Sequence, residues 1–288
     1  MISRLPDTHS EPAQSWHAEL HLGFTRTGER TVLRENWHRG PLRVQKALYP
    51  EGAGICQAIV LHPPSGMAGG DHLAISSEVD TGAHAQLTTP GAGKWYRSAG
   101  AEASQRIALA VSEGAALEWL PQETILFDGA RARMETRVDL AADSRYIGWD
   151  VLCLGRTAAG ERFEKGRLDL LLRVDRAGHP IWIERGGIAD KDPMLSSPAG
   201  WAGSTVCGSL LCAFPELPMQ ASALLDACRQ TRPTDTARYG LSALPGVLIA
   251  RYLGDNSEAA RLWFIELWKI LRPVCLGRPA IIPRVWNT

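Results

Sequence analysis

Several carboxylates stand inside apolar segments of this chain, and Asp150 is the clearest of them. The stretch 146–156, YIGWDVLCLGR, reads as one buried strand that Asp150 interrupts. Burying a carboxylate is costly unless it is paired or its surroundings contain water. Arg156 follows six residues later, on the same face if the strand is continuous. Asp150 is therefore predicted either to pair with an arginine such as Arg156 or to line an internal, water-filled passage.

The same question arises for other carboxylates beside apolar or glycine-rich segments. Taken singly, each is a candidate hydrogen-bond acceptor with a structural role. Taken together, they could form a hydrophilic conduit through a β-rich body. The other members of this group are Asp71, Glu118, Glu123, Asp128, Glu161 and Glu164.

The eight histidines include no pair that reads as a helical i, i+4 metal site. His17 and His21 can face the same side of a strand, and a solvated strand face is the favoured interpretation. His62 and His72 flank PPSGMAGGD (63–71), where a labile metal contact is predicted as a weaker candidate.

The glycine run in LTTPGAGKWYRS (87–98) invites comparison with a phosphate-binding loop. Such a loop needs G-x-x-x-x-G-K-[ST], because its hydroxyl residue binds magnesium. Here Trp95 follows Lys94, and Thr88 occupies the position of the first glycine. The chain also lacks G-x-G-x-x-G at a strand-to-helix junction, H-E-x-x-H, G-x-S-x-G and paired C-x-x-C. These glycines are better explained as tight connections between strands.

Composition narrows the class of protein further. The 31 Lys and Arg residues balance 31 Asp and Glu residues, so the net charge does not indicate a nucleic-acid-binding protein. No apolar run reaches about 18 residues, so no membrane span is predicted. The six cysteines are expected to be buried free thiols in a cytoplasmic chain. Residues 1–15 read as a disordered leader, which leaves one β-rich domain over 16–288.

Period-2 alternation dominates the first three-quarters of the chain and predicts a mainly β, many-stranded fold. The segments VDTGAHAQLTTP (79–90) and VSEGAALEWLP (111–121) echo each other at an offset of 32 residues. That repeat indicates a stacked or sandwich-like β body in the manner of a solenoid. Further strands are predicted at 17–24, 42–48, 55–62, 73–80, 84–89, 105–111, 115–120, 131–140, 145–154, 167–175, 180–184 and 205–213.

Two α-helices are predicted in the C-terminal region, at 223–230 and 257–273. In the second, Ser257 is expected to be the N-cap and Pro273 to end the helix. Its few charged residues fall on one narrow side, so most of its circumference is expected to pack on the sheet.

A set of motifs resembles the urease accessory protein UreD family, also called UreH, from about residue 16 to the terminus. The motifs are GPLRVQKALYPEG (40–52), LHPPSGMAGGD (61–71), LTTPGAGKWYRS (87–98), LEWLPQETILFDGA (117–130), GWDVLCLGR (148–156), GERF (160–163) and PRVWNT (283–288). The chain departs from the family pattern at Ser65, where a second glycine is usual, and at Gly93, where a side chain is frequent.

The resemblance implies a β-rich scaffold with two helices and no catalytic activity of its own. Such a scaffold binds apo-urease and recruits UreF, which brings the GTPase UreG, and nickel passes through an internal tunnel to the urease active site. No tightly bound cofactor is implied, only transient Ni(II). Oxygen donors and water suit a conduit because a tight His/Cys cage would trap the cation. The implied tunnel residues are Asp71, Asp150 and Glu161, with Arg156 as a structural partner.

Two other functions remain open at this point. One is a purely structural urease-binding chaperone that carries no metal. The other is a hydrolase that uses the Asp, Glu and His residues near 62–72 and 118–128, although no nucleophile and base signature supports it.

Overall fold

The computed structural model describes residues 15–215 and 221–287, and all but one residue of the predicted leader lie outside them. Across those ranges the chain forms eighteen β-strands, two α-helices and three short 3₁₀ helices. The helices are α1 (Ala221–Gln230) and α2 (Ser257–Leu276). The strands are β1 (His17–Thr27), β2 (Arg30–Arg39), β3 (Arg43–Leu48), β4 (Cys56–Leu61), β5 (Gly66–Met67), β6 (His72–Val79), β7 (His84–Thr88), β8 (Gly93–Trp95), β9 (Ala103–Val111), β10 (Ala116–Leu120), β11 (Thr124–Leu126), β12 (Arg131–Leu140), β13 (Arg145–Leu154), β14 (Arg167–Arg176), β15 (His179–Ile188), β16 (Val206–Ala213), β17 (Arg238–Leu244) and β18 (Val247–Gly254).

These strands build two stacked sheets. The seven-stranded sheet has the order β15-β14-β12-β9-β6-β1-β2. The eleven-stranded sheet has the order β17-β18-β16-β13-β10-β7-β4-β3, with the short strands β5, β8 and β11 attached beside β13. The predicted class, a mainly β stacked body with two helices, is confirmed.

The middle of both sheets is parallel and solenoid-like. Val79 of β6 pairs with Val111 of β9 in one sheet, and Ala85 of β7 pairs with Leu117 of β10 in the other. Both pairs keep the 32-residue offset seen in the sequence. Each 32-residue repeat thus adds one parallel strand to each of the two sheets. The side chains between the sheets form one continuous hydrophobic core.

Helix α2 differs from its predicted ends. Its N-cap is Asn256, whose side chain accepts a hydrogen bond from Ala259 N at 3.1 Å, and not Ser257. The helix also continues past Pro273 to Leu276 and ends at Gly277, which adopts a φ of 69°. Near a C-terminus a proline removes one hydrogen bond, but the turn that follows can still form.

The two faces of β13 explain why its sequence is mostly apolar. Trp149 faces a second hydrophobic cluster, which contains Trp263, Phe264 and Trp268 of α2. The alternate face, which carries Tyr146 and Leu152, faces the seven-stranded sheet. Helix α2 therefore packs on the eleven-stranded sheet, as predicted, and β13 is buried on both sides.

Each of the six cysteines is a free thiol. Within the described residues, no helix has the length and apolar character needed to cross a membrane.

Candidate functional site

A cavity of about 490 Å³ lies between the two sheets. Strands β9, β12, β14 and β15 line it from the seven-stranded sheet, and β13, β16 and β18 line it from the eleven-stranded sheet. Most of its wall is apolar, with leucines of β14 prominent among the lining residues. Only a few polar side chains line this cavity, so they are the groups that can give it a chemical function.

A row of polar side chains crosses the wall that the eleven-stranded sheet contributes. Asp150 of β13 is opposite Ser209 of β16, and Ser209 is opposite Arg251 of β18. Directly opposed residues of antiparallel strands face the same side, so the three side chains stand next to one another. From the other sheet, Glu184 of β15 accepts a hydrogen bond from Arg251 Nη1 at 2.6 Å.

Asp150 is the carboxylate that remains unpaired in this cavity. No group in residues 15–215 or 221–287 forms a hydrogen bond or ion pair with its side chain. Burial raises the pKa of Asp150 to about 7, and the negative charge of Glu184 adds to the effect. Asp150 therefore faces an internal space, and the water-filled passage drawn from the sequence stays a prediction.

Arg156 does not pair with Asp150, contrary to the first alternative. Strand β13 ends at Leu154, and Gly155 turns the chain with a φ of 84°. A side chain on Gly155 would collide with the backbone at Glu161 and Arg162, so the turn requires glycine. The parity argument fails here because Arg156 lies outside the strand.

Arg156 pairs instead with Glu161. The Arg156 Nη2 and Nε atoms donate to Glu161 Oε2 at 2.6 and 3.2 Å, while Asp128 N donates to Glu161 Oε1 at 3.0 Å. These hydrogen bonds lower the pKa of Glu161. The pair fastens the loop after β13 and does not line the cavity.

Asp71 is also outside the cavity. Its side chain is buried and accepts hydrogen bonds from Trp16 N at 2.8 Å and Ala68 N at 2.7 Å. It thereby fastens the start of β1 to the loop before β6. A metal role for Asp71 and Glu161 stays a prediction.

The two flanking histidines lie in different surroundings. His62 is half-buried, and burial lowers its pKa although the nearby charge of Asp71 opposes the shift. Its Nε2 atom is buried and has no hydrogen-bond partner among the described residues. His72 is exposed, and its ring lies beside that of His17 with the centroids 4.9 Å apart.

Comparisons with known proteins agree on one family. The family model described as "UreD urease accessory protein" matches residues 17–287. The chain belongs to the UreD family. It is 79% identical over 288 residues to the urease accessory protein UreD of Dechloromonas aromatica, and the match covers 100% of both chains. It is 50% identical to the UreD of Azoarcus sp. over 273 residues, covering 95% of this chain and 94% of the relative. It is also 51% identical to the UreD of Nitrosococcus oceani over 274 residues, covering 95% and 91%.

This UreD-family chain also contains a buried ionic network that the sequence did not reveal. Glu118 of β10 is fully buried, and Arg272 of α2 donates to it through Nε and Nη2, both at 2.9 Å. Trp268 Nε1 donates to the same carboxylate at 2.7 Å, and His84 Nε2 lies 2.9 Å from it. Arg272 also forms an ion pair with Glu51 at 2.6 Å.

The partners of Glu118 decide its protonation. Burial alone would raise the pKa of Glu118, but the hydrogen bonds and charges of His84 and Arg272 outweigh it and lower the pKa to about 2. Glu118, one of the carboxylates singled out in the sequence, is thus a structural anchor between β10 and α2 and has no place in the cavity wall.

No group of three or more His, Cys, Asp or Glu side chains within the described ranges has the arrangement of a metal site. The cavity instead offers isolated donors, namely the Asp150 carboxylate, the Ser209 hydroxyl and the Cys207 thiol. Burial raises the pKa of Cys207 to about 11, so this thiol is protonated and a poor ligand near neutral pH. The cavity is suited to a weak, transient contact with a cation rather than to tight binding.

Proposed function

We propose that this chain is a cytoplasmic, non-enzymatic scaffold for urease maturation. In this proposal it binds apo-urease, recruits UreF and through UreF the GTPase UreG, and gives Ni(II) a passage toward the urease active site. Family membership supports the accessory role, and the inter-sheet cavity supports the passage.

The observation that carries the passage is the unpaired Asp150 carboxylate in the cavity wall. Its pKa of about 7 means that a proton and a cation compete for it near neutral pH. Arg251 holds Glu184 close by, so the second carboxylate has a partner already. One available carboxylate can attract Ni(II) without retaining it, as delivery of a cargo requires.

The accessory role is tested in a urease-producing strain from which this gene is deleted. We expect the urease polypeptides to be present, nickel-poor and inactive, and we expect the restored full chain to co-purify with urease subunits and UreF. Normal urease nickel content in the deletion strain, at ordinary nickel supply, contradicts the proposal.

The passage is tested by restoring the strain with Asp150→Ala. We expect less nickel in urease, while co-purification with urease and UreF is unchanged. The matched control is Asp139→Ala, because Asp139 is an exposed strand carboxylate outside the cavity. If Asp150→Ala activates urease as well as the control does, the chain is a purely structural chaperone and the proposed passage is wrong.

A further inference from the structure

The outer face of the seven-stranded sheet carries two adjacent histidines. His17 of β1 is paired in register with His72 of β6, and His72 is paired with Ser104 of β9. All three side chains therefore lie in one row across parallel strands. Both imidazole rings are exposed to solvent, and they are tilted by 38° to each other.

The separation of the rings fits a shared cation. An imidazole bound through nitrogen at about 2.1 Å places its ring centroid about 3.2 Å from the metal. Two such rings have centroids about 4.5 Å apart at a right angle and about 5.2 Å apart at the tetrahedral angle. The observed separation of 4.9 Å lies between these two values.

We propose that His17 and His72 form a two-imidazole surface site for a borderline divalent cation such as Ni(II), with water in the remaining coordination positions. Imidazole nitrogen is a preferred ligand of Ni(II), Cu(II) and Zn(II). The site lies on the opposite face of the sheet from the cavity, and the proposal does not rest on the function proposed above.

Neighbouring groups orient the His72 ring and hold the two strands together. His72 Nδ1 lies 2.7 Å from Ser104 Oγ, so a proton on Nδ1 satisfies this hydrogen bond and leaves the Nε2 lone pair free for a cation. On the other strand, Asp71 accepts from Trp16 N, and His72 N donates to Trp16 O at 2.7 Å. These two contacts hold the start of β1 against β6, so Asp71 and Ser104 are positioning residues.

The surroundings do not oppose a cation. A surface pocket of about 280 Å³ lies beside the rings, and Glu19 lines it two residues along β1 on the same face as His17. The two arginines of the pocket have acidic neighbours, since Arg133 pairs with Glu102 at 3.2 Å and Arg106 lies 3.9 Å from Glu135. Glu19 therefore adds a negative charge near the site.

The test is a calorimetric titration of the full chain, without a polyhistidine tag, with Ni(II) alone at about pH 8. His17→Ala and His72→Ala should each weaken one equivalent of Ni(II) binding by about tenfold or more. Ser104→Ala should weaken it less, because both imidazoles remain. His38→Ala and His179→Ala are the matched controls, since both histidines are exposed elsewhere, and neither should change the titration.

A second measurement separates ligation from a general loss of structure. Cu(II) bound to the wild type should show two nitrogen ligands in its electron paramagnetic resonance spectrum, and His72→Ala should show fewer with an unchanged circular dichroism spectrum. Equal Ni(II) affinity in the wild type and His17→Ala, or an equal loss in His38→Ala, overturns the site. Asp150→Asn should leave this binding unchanged, so failure of the cavity proposal and failure of this site give different results.

Discussion

Glu184 of β15 and Asp150 of β13 act on each other across the space between the two sheets. Burial is the main cause of the raised pKa of Asp150, and the charge of Glu184 raises it further. Arg251 compensates Glu184 directly through a 2.6 Å hydrogen bond, whereas the Asp150 side chain has no partner in the described residues. The folded state therefore retains one carboxylate whose ionisation it disfavours, which a structural role alone does not explain.

The raised pKa of Asp150 makes stability depend on pH. A carboxyl group with a pKa of about 7 in the folded state and 3.8 when unfolded favours folding in its protonated form. That contribution is complete below pH 3.8 and is lost as the pH rises through 7. Asp150→Asn should therefore raise the free energy of unfolding more at pH 8 than at pH 5, by on the order of 2 kcal/mol. Urea denaturation at both pH values measures this, with Asp139→Asn as control, and equal effects at the two pH values contradict the raised pKa.

A bulky side chain at Gly186 should block the cavity without distorting the fold. Gly186 lines the cavity, and a Cβ built on it meets no atom within 4 Å. Gly186→Leu is expected to lower the nickel content of urease in the restored strain while the complex with urease still assembles. Gly240→Leu is the control, because Gly240 has equal free space on the exposed strand β17 and does not line the cavity. A full nickel load with Gly186→Leu counts against passage through this cavity.

The sequence predicted the parts of the fold that repeat locally. The echo between 79–90 and 111–121 became rungs in register, with Val79 beside Val111. It did not reveal β2, because most side chains of Arg30–Arg39 are exposed and the strand shows no clear alternation. The sequence placed Gly93 in a tight connection between strands, whereas it belongs to strand β8.

The site was predictable only where one residue was anomalous by itself. Asp150 could be found because it is a charge within an apolar run. The contact between Glu184 and Arg251 could not be found, because it joins positions 67 residues apart. Arg272 was missed for the same reason, since its partner Glu118 lies 154 residues away.

The Glu118–Arg272 pair should dominate acid stability. The pKa of Glu118 is lowered from 4.5 to about 2, so its contribution is present above pH 4.5 and is lost as the pH falls toward 2. This corresponds to about 3 kcal/mol. Glu118→Gln should remove much of the decline in the free energy of unfolding between these pH values, as followed by chemical denaturation.

Removing Arg272 alone should destabilise the protein more than removing both Glu118 and Arg272. Arg272→Met leaves Glu118 buried with one cationic partner fewer and should destabilise the protein by about 3–5 kcal/mol. The double variant Glu118→Gln, Arg272→Met should be more stable than Arg272→Met alone, because Glu51 is then the one carboxylate of this network that has lost its arginine partner, whereas Arg272→Met alone leaves two. Additive losses in this cycle contradict a direct coupling between the two side chains.

Trp286 should fasten the C-terminal tail to the β body. Its ring packs against Trp149 and Trp268 at centroid distances of 5.6 and 6.1 Å, and its Nε1 donates to Thr88 Oγ1 at 2.7 Å. Trp286→Ala should lower the free energy of unfolding by about 3 kcal/mol, because a largely buried indole and a hydrogen bond are lost together. Trp286→Phe keeps the aromatic packing and should cost about 1 kcal/mol.

Denaturation followed by circular dichroism measures both losses of stability, and Trp37→Ala is the control because Trp37 is 53% exposed. A loss with Trp286→Ala no larger than with Trp37→Ala is incompatible with this anchoring role.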